Sequence, residues 1–149
     1  MSLRFRTARR EDIERIVTLL SEDTLGAGRE SSDLTPYLAA FDAMASEAAN
    51  EIIVAERDGR IVATYQITVI SGLSRQAARR AQIEAVRVAS DARGGGLGAA
   101  LLADAEARAR AAGCRLLQLT SDVSRGRARS FYERHGFTAS HIGFKRALD

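Results

Sequence analysis

The feature that most constrains the fold of this chain is a glycine-rich junction between a predicted strand and a predicted helix. Residues 83–102 read IEAVRVASDARGGGLGAALL: an apolar, β-branched run ends near three consecutive glycines, and an alanine- and leucine-rich helical pattern follows. Glycine lets the backbone approach a phosphate closely, and the first N–H groups of a helix have no intrahelical acceptor. The junction therefore predicts an anion site for the pyrophosphate of a nucleotide-like cofactor. The simpler alternative is a tight strand-to-helix turn without a ligand.

Two well-known phosphate loops do not fit this junction. A P-loop ends in Gly-Lys-Ser/Thr, whereas two alanines follow Gly98 here. The dinucleotide fingerprint G-x-G-x-x-G has Leu101 in place of its third glycine. What remains is the pattern Arg-x-x-Gly-x-Gly, formed by Arg93, Gly96 and Gly98.

This pattern resembles the acetyl-coenzyme A loop of the GCN5-related N-acetyltransferase (GNAT) family. Residues 128–137, ARSFYERHGF, are similar to the A-x-x-F-Y-x-x-x-G-F ending of the same family, about thirty residues later. The resemblance covers almost the whole chain. It implies an α/β fold with a mixed sheet, and an enzyme that transfers an acetyl group from acetyl-CoA to a primary amine by direct attack.

The order of predicted elements fits that fold. The hydrophobic periodicity, the Asp58-Gly59 hairpin turn and the glycines at helix ends predict the order β-α-α-β-β-β-α-β-α-β(-β). The strands are expected at residues 3–8, 51–57, 60–70, 82–90 and 114–120, with one or two more in 137–147. The helices are expected at residues 10–21, 33–44, 96–112 and 125–135, and loops at 22–32 and 71–80. A meander followed by a β-α-β crossover predicts a mixed sheet with helices on both faces.

The composition is that of an ordinary soluble protein. The 149 residues are 46% hydrophobic and 28% charged, which suits one N-acetyltransferase domain over residues 1–149. No apolar run is long enough to span a bilayer and no signal-peptide pattern is present, so a cytoplasmic protein without membrane contact is expected. The single Cys114 is interpreted as a buried small hydrophobe, and no metal site is expected.

The basic residues do not indicate nucleic-acid binding. The net charge is only +3, and Lys145 is the one lysine among many scattered arginines. There is no basic tail, and few aromatic side chains are available for base stacking. Most of the arginines are interpreted as solvated, and a few could serve cofactor phosphates.

The resemblance assigns the cofactor contacts to the junction and to the strand before it. Backbone N–H groups would cradle the pyrophosphate, and Arg93 would add charge. The strand would lend backbone groups to the pantetheine arm. The cradle consists of Gly94, Gly95, Gly96, Leu97, Gly98 and Ala99, and the strand residues are Val86, Arg87 and Val88.

Glu84 is the candidate general base. Strict alternation would place Glu84 with Val86 and Val88 on one strand face, where apolar neighbours raise the pKa of a carboxylate. In many family members an acidic residue on this strand accepts the proton of the amine, directly or through water. The alternative is a partly exposed strand glutamate, with Gln82 positioning a water in its place.

Tyr132 is the candidate general acid. It matches the tyrosine of the family's ending, whose hydroxyl often approaches the sulfur of the coenzyme. A tyrosine is protonated at neutral pH and can donate to a developing thiolate. The alternative is a helix tyrosine that only packs beside Phe131.

The chain departs from the family at Arg125, where an asparagine that helps hold the pantetheine arm is common. Ser124 is a candidate substitute for that contact, and Arg125 itself could reach a phosphate. This departure leaves an alternative function open: a non-catalytic acyl-CoA-binding sensor or partner subunit with the same fold.

The acceptor is the least determined part of the prediction. The family builds its acceptor pocket from segments that correspond to residues 22–33 and 140–144 here, and acidic residues in the first segment could attract a cationic amine. A small-molecule or peptide amine is expected, with no further identity. A homodimer built on the late strands is also expected, since Ile142 and Phe144 alternate there.

Overall fold

A computed structural model describes residues 2–149. The strands are β1 (Leu3–Thr7), β2 (Asn50–Arg57), β3 (Arg60–Ile70), β4 (Arg80–Val88) and β5 (Leu116–Leu119). The helices are α1 (Ile13–Ser21), α2 (Thr24–Arg29), α3 (Thr35–Met44), α4 (Ser74–Ala77), α5 (Leu97–Ala111) and α6 (Gly126–Arg134). Short 3-10 turns at Arg10–Asp12 and Ser90–Ala92 precede α1 and follow β4.

The five strands form one mixed sheet in the order β1-β2-β3-β4-β5. The first four are antiparallel neighbours, as expected for a meander, whereas β5 pairs with β4 in parallel after the crossover through α5. The parallel pairing is short: it runs only from Arg80 opposite Leu116 to Ile83 opposite Leu119. Beyond Ile83, β4 continues for five residues without β5 beside it.

Helices cover both faces of the sheet, as predicted. On one face, α5 buries Leu101 and Ala105 against the strand residues Ile53 and Ile83, each 0% exposed. On the other face, α1 buries its apolar stripe, including Leu19, in a second cluster. Each fully buried aliphatic side chain of this kind contributes about 1.5–3 kcal/mol to folding, so the two cores fix the sheet between its helical layers.

A β-bulge interrupts β4 at Ala85, whose φ is +52°. The register shifts there, so that Glu84 lies opposite Gln66 and Arg87 opposite Thr64. Since Gln66 and Thr64 are two residues apart on one face of β3, Glu84 and Arg87 share a face. The predicted alternation, with Glu84, Val86 and Val88 together, is therefore wrong: the bulge adds one residue and turns Arg87 to the side of Glu84.

Two further predictions on local structure are wrong. Residues 137–147 form no strand, because this tail pairs with no strand in the described chain; Ile142 and Phe144 are 80% and 92% exposed. The predicted loop 22–32 contains the short helix α2, whose first turn is capped by the side chain of Asp23, which accepts the N–H of Gly26. Across residues 2–149, no helix combines the length and hydropathy that a membrane span needs.

Candidate active site

The glycine-rich junction forms an exposed turn that ends in an uncapped helix. Gly94 and Gly96 have φ of +85° and +78°, a region that glycine enters without strain. Gly96 is the N-cap of α5 and has no side chain to satisfy the helix. The N–H of Ala100 donates to the Gly96 carbonyl at 3.1 Å. The N–H groups of the three preceding residues, Leu97, Gly98 and Ala99, are thus the unsatisfied donors of the helix start, and they fit a phosphate at the positive end of α5.

Gly98 also has a packing role that the sequence analysis missed. A Cβ atom built at Gly98 would lie 3.0 Å from Cζ of Phe131 on α6, so the ring would have to move by a few tenths of an ångström. The glycine therefore lets the Phe131 ring rest on the first turn of α5. This contact couples the loop to the helix that carries Tyr132.

The open edge of β4 leads directly to this turn. The N–H of Ala89 donates to Val62 on β3, so the peptide groups of Val88 point the other way, toward the open edge. The Val88 carbonyl accepts from Nε of Arg93 at 3.3 Å, and the Val86 carbonyl accepts from Nη1 of Arg87 at 2.9 Å. Side chains, rather than a strand, thus occupy the edge where the pantetheine arm is expected.

Tyr132 lies on α6 in an aromatic cluster. Its ring packs edge-on against Phe131 and Phe137, with centroid separations of 5.4 and 5.8 Å. Burial raises the pKa of Tyr132 above its ordinary value, although the nearby charges of Arg125 and Arg87 oppose the shift. The hydroxyl is therefore protonated at neutral pH. Within residues 2–149 it makes no hydrogen bond, so it is free to donate one.

Glu84 is the first β4 residue beyond the last pair with β5, so it stands where the two strands part. It is exposed, which makes the expectation of apolar surroundings wrong; the bulge at Ala85 is the reason. The amide of Gln82, the alternative water-positioning group, accepts a hydrogen bond from Gln118 at 2.9 Å.

The side chains at the departure from the family pattern are both held by carboxylates. The Ser124 hydroxyl donates to Asp122 at 2.6 Å. The Arg125 guanidinium lies 2.8 Å from Oδ2 of Asp23, which also pairs with Nε of Arg87 at 3.3 Å. Burial raises the pKa of Asp23, but the Gly26 N–H and the two guanidiniums outweigh it and hold the pKa below its ordinary value.

Asp23 and the Arg87 side chain are site features that sequence reasoning missed. Arg87 was assigned only a backbone role, and Asp23 was one acidic loop residue among several. The one local signal was the pattern of Asp23 three residues before Gly26, which is typical of a helix N-cap.

Comparison with known proteins shows which family has this geometry. The model of the acetyltransferase (GNAT) family matches residues 13–137. A crystal structure described as a transcriptional regulator from Bacillus halodurans C-125 is 40% identical, covers 99% of this chain and 100% of that one, and superposes with a TM-score of 0.94. A structure from Agrobacterium tumefaciens str. C58 that carries an acetyltransferase name is 28% identical, with a TM-score of 0.86 over 99% of this chain and 100% of that one.

A curated relative matches a shorter part of the chain. The aminoalkylphosphonate N-acetyltransferase of Salmonella typhimurium (strain LT2) is 40% identical over 67 residues, which is 45% of this chain and 44% of that protein. The match thus spans less than half the length of the relative. The family model, which spans most of the chain, agrees with the loop, the sheet and the C-terminal motif, and the chain belongs to the GNAT acetyltransferase family.

Proposed function

We propose that this protein is an N-acetyltransferase that takes its acetyl group from acetyl-CoA and transfers it to a primary amine by direct attack. One observation carries the proposal: the open edge of β4 beyond Ile83 runs into the uncapped N-terminus of α5. A strand edge and a helix start in this arrangement can bind an extended amide-containing arm and the phosphates at its end. Acetyltransferases of this fold use acetyl-CoA.

The proposed cofactor contacts follow from the free N–H groups at the start of α5 and from the open edge of β4. The N–H groups at Leu97, Gly98 and Ala99 would hold the pyrophosphate, with the turn of Gly94, Gly95 and Gly96 allowing close approach. Arg93 is exposed and next to this turn. The carbonyls of Val86 and Val88 face the open edge and would pair with the pantetheine arm once the side chains of Arg87 and Arg93 release them. Ser124 and Arg125 stay predictions as cofactor contacts, since each already has a carboxylate partner.

Two side chains would handle the protons of the reaction. When bound, acetyl-CoA supplies a thioester that an amine can attack and a thiolate leaving group. Glu84, at the parting of β4 and β5, would accept the proton of the amine, directly or through water. Tyr132, kept protonated by its burial, would donate its hydroxyl proton to the departing sulfur.

The acceptor is proposed to be a small-molecule amine. The similar Salmonella protein is named for aminoalkylphosphonates, so these compounds belong in the first set of acceptors to be assayed. Because that similarity spans less than half of either chain, the screen should include amino acids, polyamines and peptide amines.

Replacement of Tyr132 by Phe tests the enzyme against the alternative of a non-catalytic acyl-CoA sensor. In the enzyme, Tyr132→Phe is expected to lower kcat about a hundredfold, while the Kd of acetyl-CoA stays unchanged. Release of free thiol and calorimetric titration measure the two quantities. Tyr65→Phe controls for the loss of a phenolic hydroxyl, because the hydroxyl of Tyr65 donates to Asp104 on α5 and has no place in the proposed reaction. A wild-type protein that binds acetyl-CoA and acetylates no amine would favour the sensor.

The base assignment has its own test. Glu84→Gln is expected to remove the acid limb of the pH profile of kcat/KM in an active preparation. An unchanged profile would show that another group, or the solvent, takes the proton.

We also propose that two copies associate through the exposed tail. Ile142 and Phe144 are exposed in a segment without regular secondary structure, and burial between two copies would remove both side chains from water. Light scattering is expected to give twice the chain mass of 16.1 kDa, and Phe144→Asp is expected to reduce it to one. A wild-type protein with the mass of one chain would overturn this proposal.

A further inference from the structure

Three arginines from three separate elements meet beside the parting of β4 and β5. Arg29 is the last residue of α2, Arg87 lies on β4, and Arg125 directly precedes α6. Two carboxylates hold them: Asp23 pairs with Arg87 and Arg125 at 3.3 and 2.8 Å, and Asp122 pairs with Arg29 at 3.7 Å. These five residues are called the Arg87 cluster below.

The Arg87 cluster has a buried floor and an open rim. The side chain of Arg87 is 12% exposed and that of Arg125 is 27% exposed, whereas that of Arg29 is 53% exposed. Guanidiniums at increasing depth can contact a ligand at each point between the solvent and the reacting groups.

The cluster lacks enough acceptors for its donors. Three guanidiniums present more N–H groups than two carboxylates can accept. Nε of Arg87 and Oδ2 of Asp23 are both buried and lie 3.3 Å apart, but they are not aligned for a hydrogen bond. The Ser121 hydroxyl, next to Asp122 in the chain, is also buried without a partner. The charge of Glu30 acts on Arg87, although Glu30 forms no ion pair within the described residues and accepts the Tyr37 hydroxyl at 2.7 Å. The network is thus incomplete, and an oxyanion that accepts from its spare N–H groups would satisfy them.

The cluster lies on the sheet face that carries Glu84. Arg87 shares the β4 face of Glu84, whereas Ile83 is buried on the opposite face against α5. An anion held on this face would lie on the side of Glu84, whereas the free N–H groups of Leu97, Gly98 and Ala99 belong to the helix packed on the opposite face. The charges of Arg87 and Arg125 act on Tyr132, which places the cluster near the proposed general acid.

We propose that the acceptor amine carries an anionic group, a carboxylate, phosphate or phosphonate, which is bound by Arg29, Arg87 and Arg125. The inference rests on the proposed acetyl transfer and names the substrate class for it. The planar, multiply donating guanidinium suits such oxyanions, and three of them supply donors that Asp23 and Asp122 leave unused. The anion fixes one end of the acceptor, while its amine reaches Glu84 at the parting of the strands.

Calorimetric titration with matched amines tests the inference without turnover. Phosphoethanolamine, β-alanine and ethanolamine share a two-carbon amine and differ in a phosphate, a carboxylate and a neutral hydroxyl. Each is titrated into the protein alone and into the protein saturated with coenzyme A. We expect both anionic amines to bind at least tenfold more tightly than ethanolamine in both states, and the tighter of the two identifies the oxyanion.

Two variants assign the binding to the arginines. Arg125→Gln and Arg29→Gln are expected to weaken binding of the anionic amines roughly tenfold to a hundredfold and to leave ethanolamine unaffected. Arg110→Gln is the matched control, because Arg110 is 75% exposed on α5 and pairs only with Glu106 of its own helix. Thermal unfolding confirms that each variant is folded.

The outcomes separate the two proposals. If acetyl-CoA does not bind but phosphoethanolamine still binds through Arg125, the proposed function fails and the anion site stands. If acetyl-CoA binds and ethanolamine binds as well as the anionic amines, the function stands and this inference is overturned. Equal binding by Arg125→Gln and the wild type would also overturn it, because the arginines would then serve only the fold.

Discussion

Two ion-pair clusters on this chain use the same residue types in opposite proportions. In the Arg6 cluster (Arg6, Asp12 and Glu56), one arginine lies between two carboxylates. Arg6 donates to both oxygens of Asp12, at 2.7 and 3.2 Å, and to Glu56 at 3.0 Å. In the Arg87 cluster, three arginines share two carboxylates.

The two clusters also differ in how far their hydrogen bonds are satisfied. Asp12 additionally accepts the N–H of Arg9 at 2.7 Å, which closes the first turn before α1. The Arg6 cluster has no buried side-chain atom without a hydrogen bond, whereas Nε of Arg87 and Oδ2 of Asp23, 3.3 Å apart, both lack one. A complete network stabilises the fold, and an incomplete one leaves donors for a ligand. The clusters should therefore respond differently to mutation, to phosphate and to pH.

The largest loss of stability is expected from a mutation in the Arg6 cluster. Asp12→Ala leaves the buried guanidinium of Arg6 with Glu56 and the Thr7 carbonyl as its partners, and it should lower the free energy of unfolding by about 3 kcal/mol. The side chains of Asp12 and Arg6 are only 9% and 13% exposed, so water replaces the lost partner poorly. Urea denaturation measures the change. A loss below about 1 kcal/mol would contradict the structural role.

Asp23→Ala should have a smaller effect, and phosphate should reverse it. The variant loses the N-cap of α2 and leaves Arg87 and Arg125 without their shared carboxylate, at a cost of about 1–2 kcal/mol. Inorganic phosphate is expected to restore stability by binding the freed guanidiniums in the folded state. Thermal unfolding with and without phosphate, at constant ionic strength, tests this. Equal recovery of Asp12→Ala by phosphate would remove the distinction between the clusters.

Acid should progressively reduce the contribution of the Arg6 cluster to the free energy of unfolding. Burial raises the pKa of Asp12, but its bonds from Arg6 and from the Arg9 N–H outweigh burial and hold the pKa below 3.8. A folded-state pKa below the unfolded value adds stability above the unfolded pKa, and this stability is lost as the pH falls through the folded pKa. The unfolding free energy of Asp12→Ala should thus fall less steeply in acid than that of the wild type. Parallel curves would contradict the assignment.

The smallest effect on stability is expected for Arg125→Gln. Arg125 is partly exposed and belongs to a cluster with surplus arginines, so the free energy of unfolding should change by less than about 1 kcal/mol. Urea denaturation of this variant beside Asp12→Ala gives the comparison. A loss as large as that of Asp12→Ala would make the Arg87 cluster structural.

Local patterns predicted most of the fold. The glycines before α5, the alanine-rich helix and the Asp58-Gly59 turn act over a few residues, and the structure forms them where expected. The bulge at Ala85 could not be predicted, because an alanine carries no signal for positive φ and the pairing with β3 imposes it. The tail 137–147 has the composition of a strand, but it lacks a neighbouring strand to pair with.

The candidate site also combines features that local sequence patterns show with features that only the tertiary structure creates. The loop and Tyr132 lie in contiguous motifs, so the sequence shows them directly. The pairing of Asp23 with Arg87 and Arg125 joins residues far apart in the chain, and only the parting of β4 and β5 brings them together. The exposure of Glu84 agrees with the alternative of a partly exposed strand glutamate, whereas its neighbour Arg87 on the same face depends on the bulge and was not predicted.

Calorimetric titration of the wild-type protein with acetyl-CoA tests the central claim most directly, with ATP and NAD as controls. The open edge of β4 and the free N–H groups of α5 predict micromolar binding of acetyl-CoA and much weaker binding of the controls. Gly98→Ala is expected to weaken that binding, since a methyl group there would displace Phe131 from the first turn of α5. The absence of any binding by the folded wild-type protein would contradict the account and would leave the glycine-rich junction as a turn.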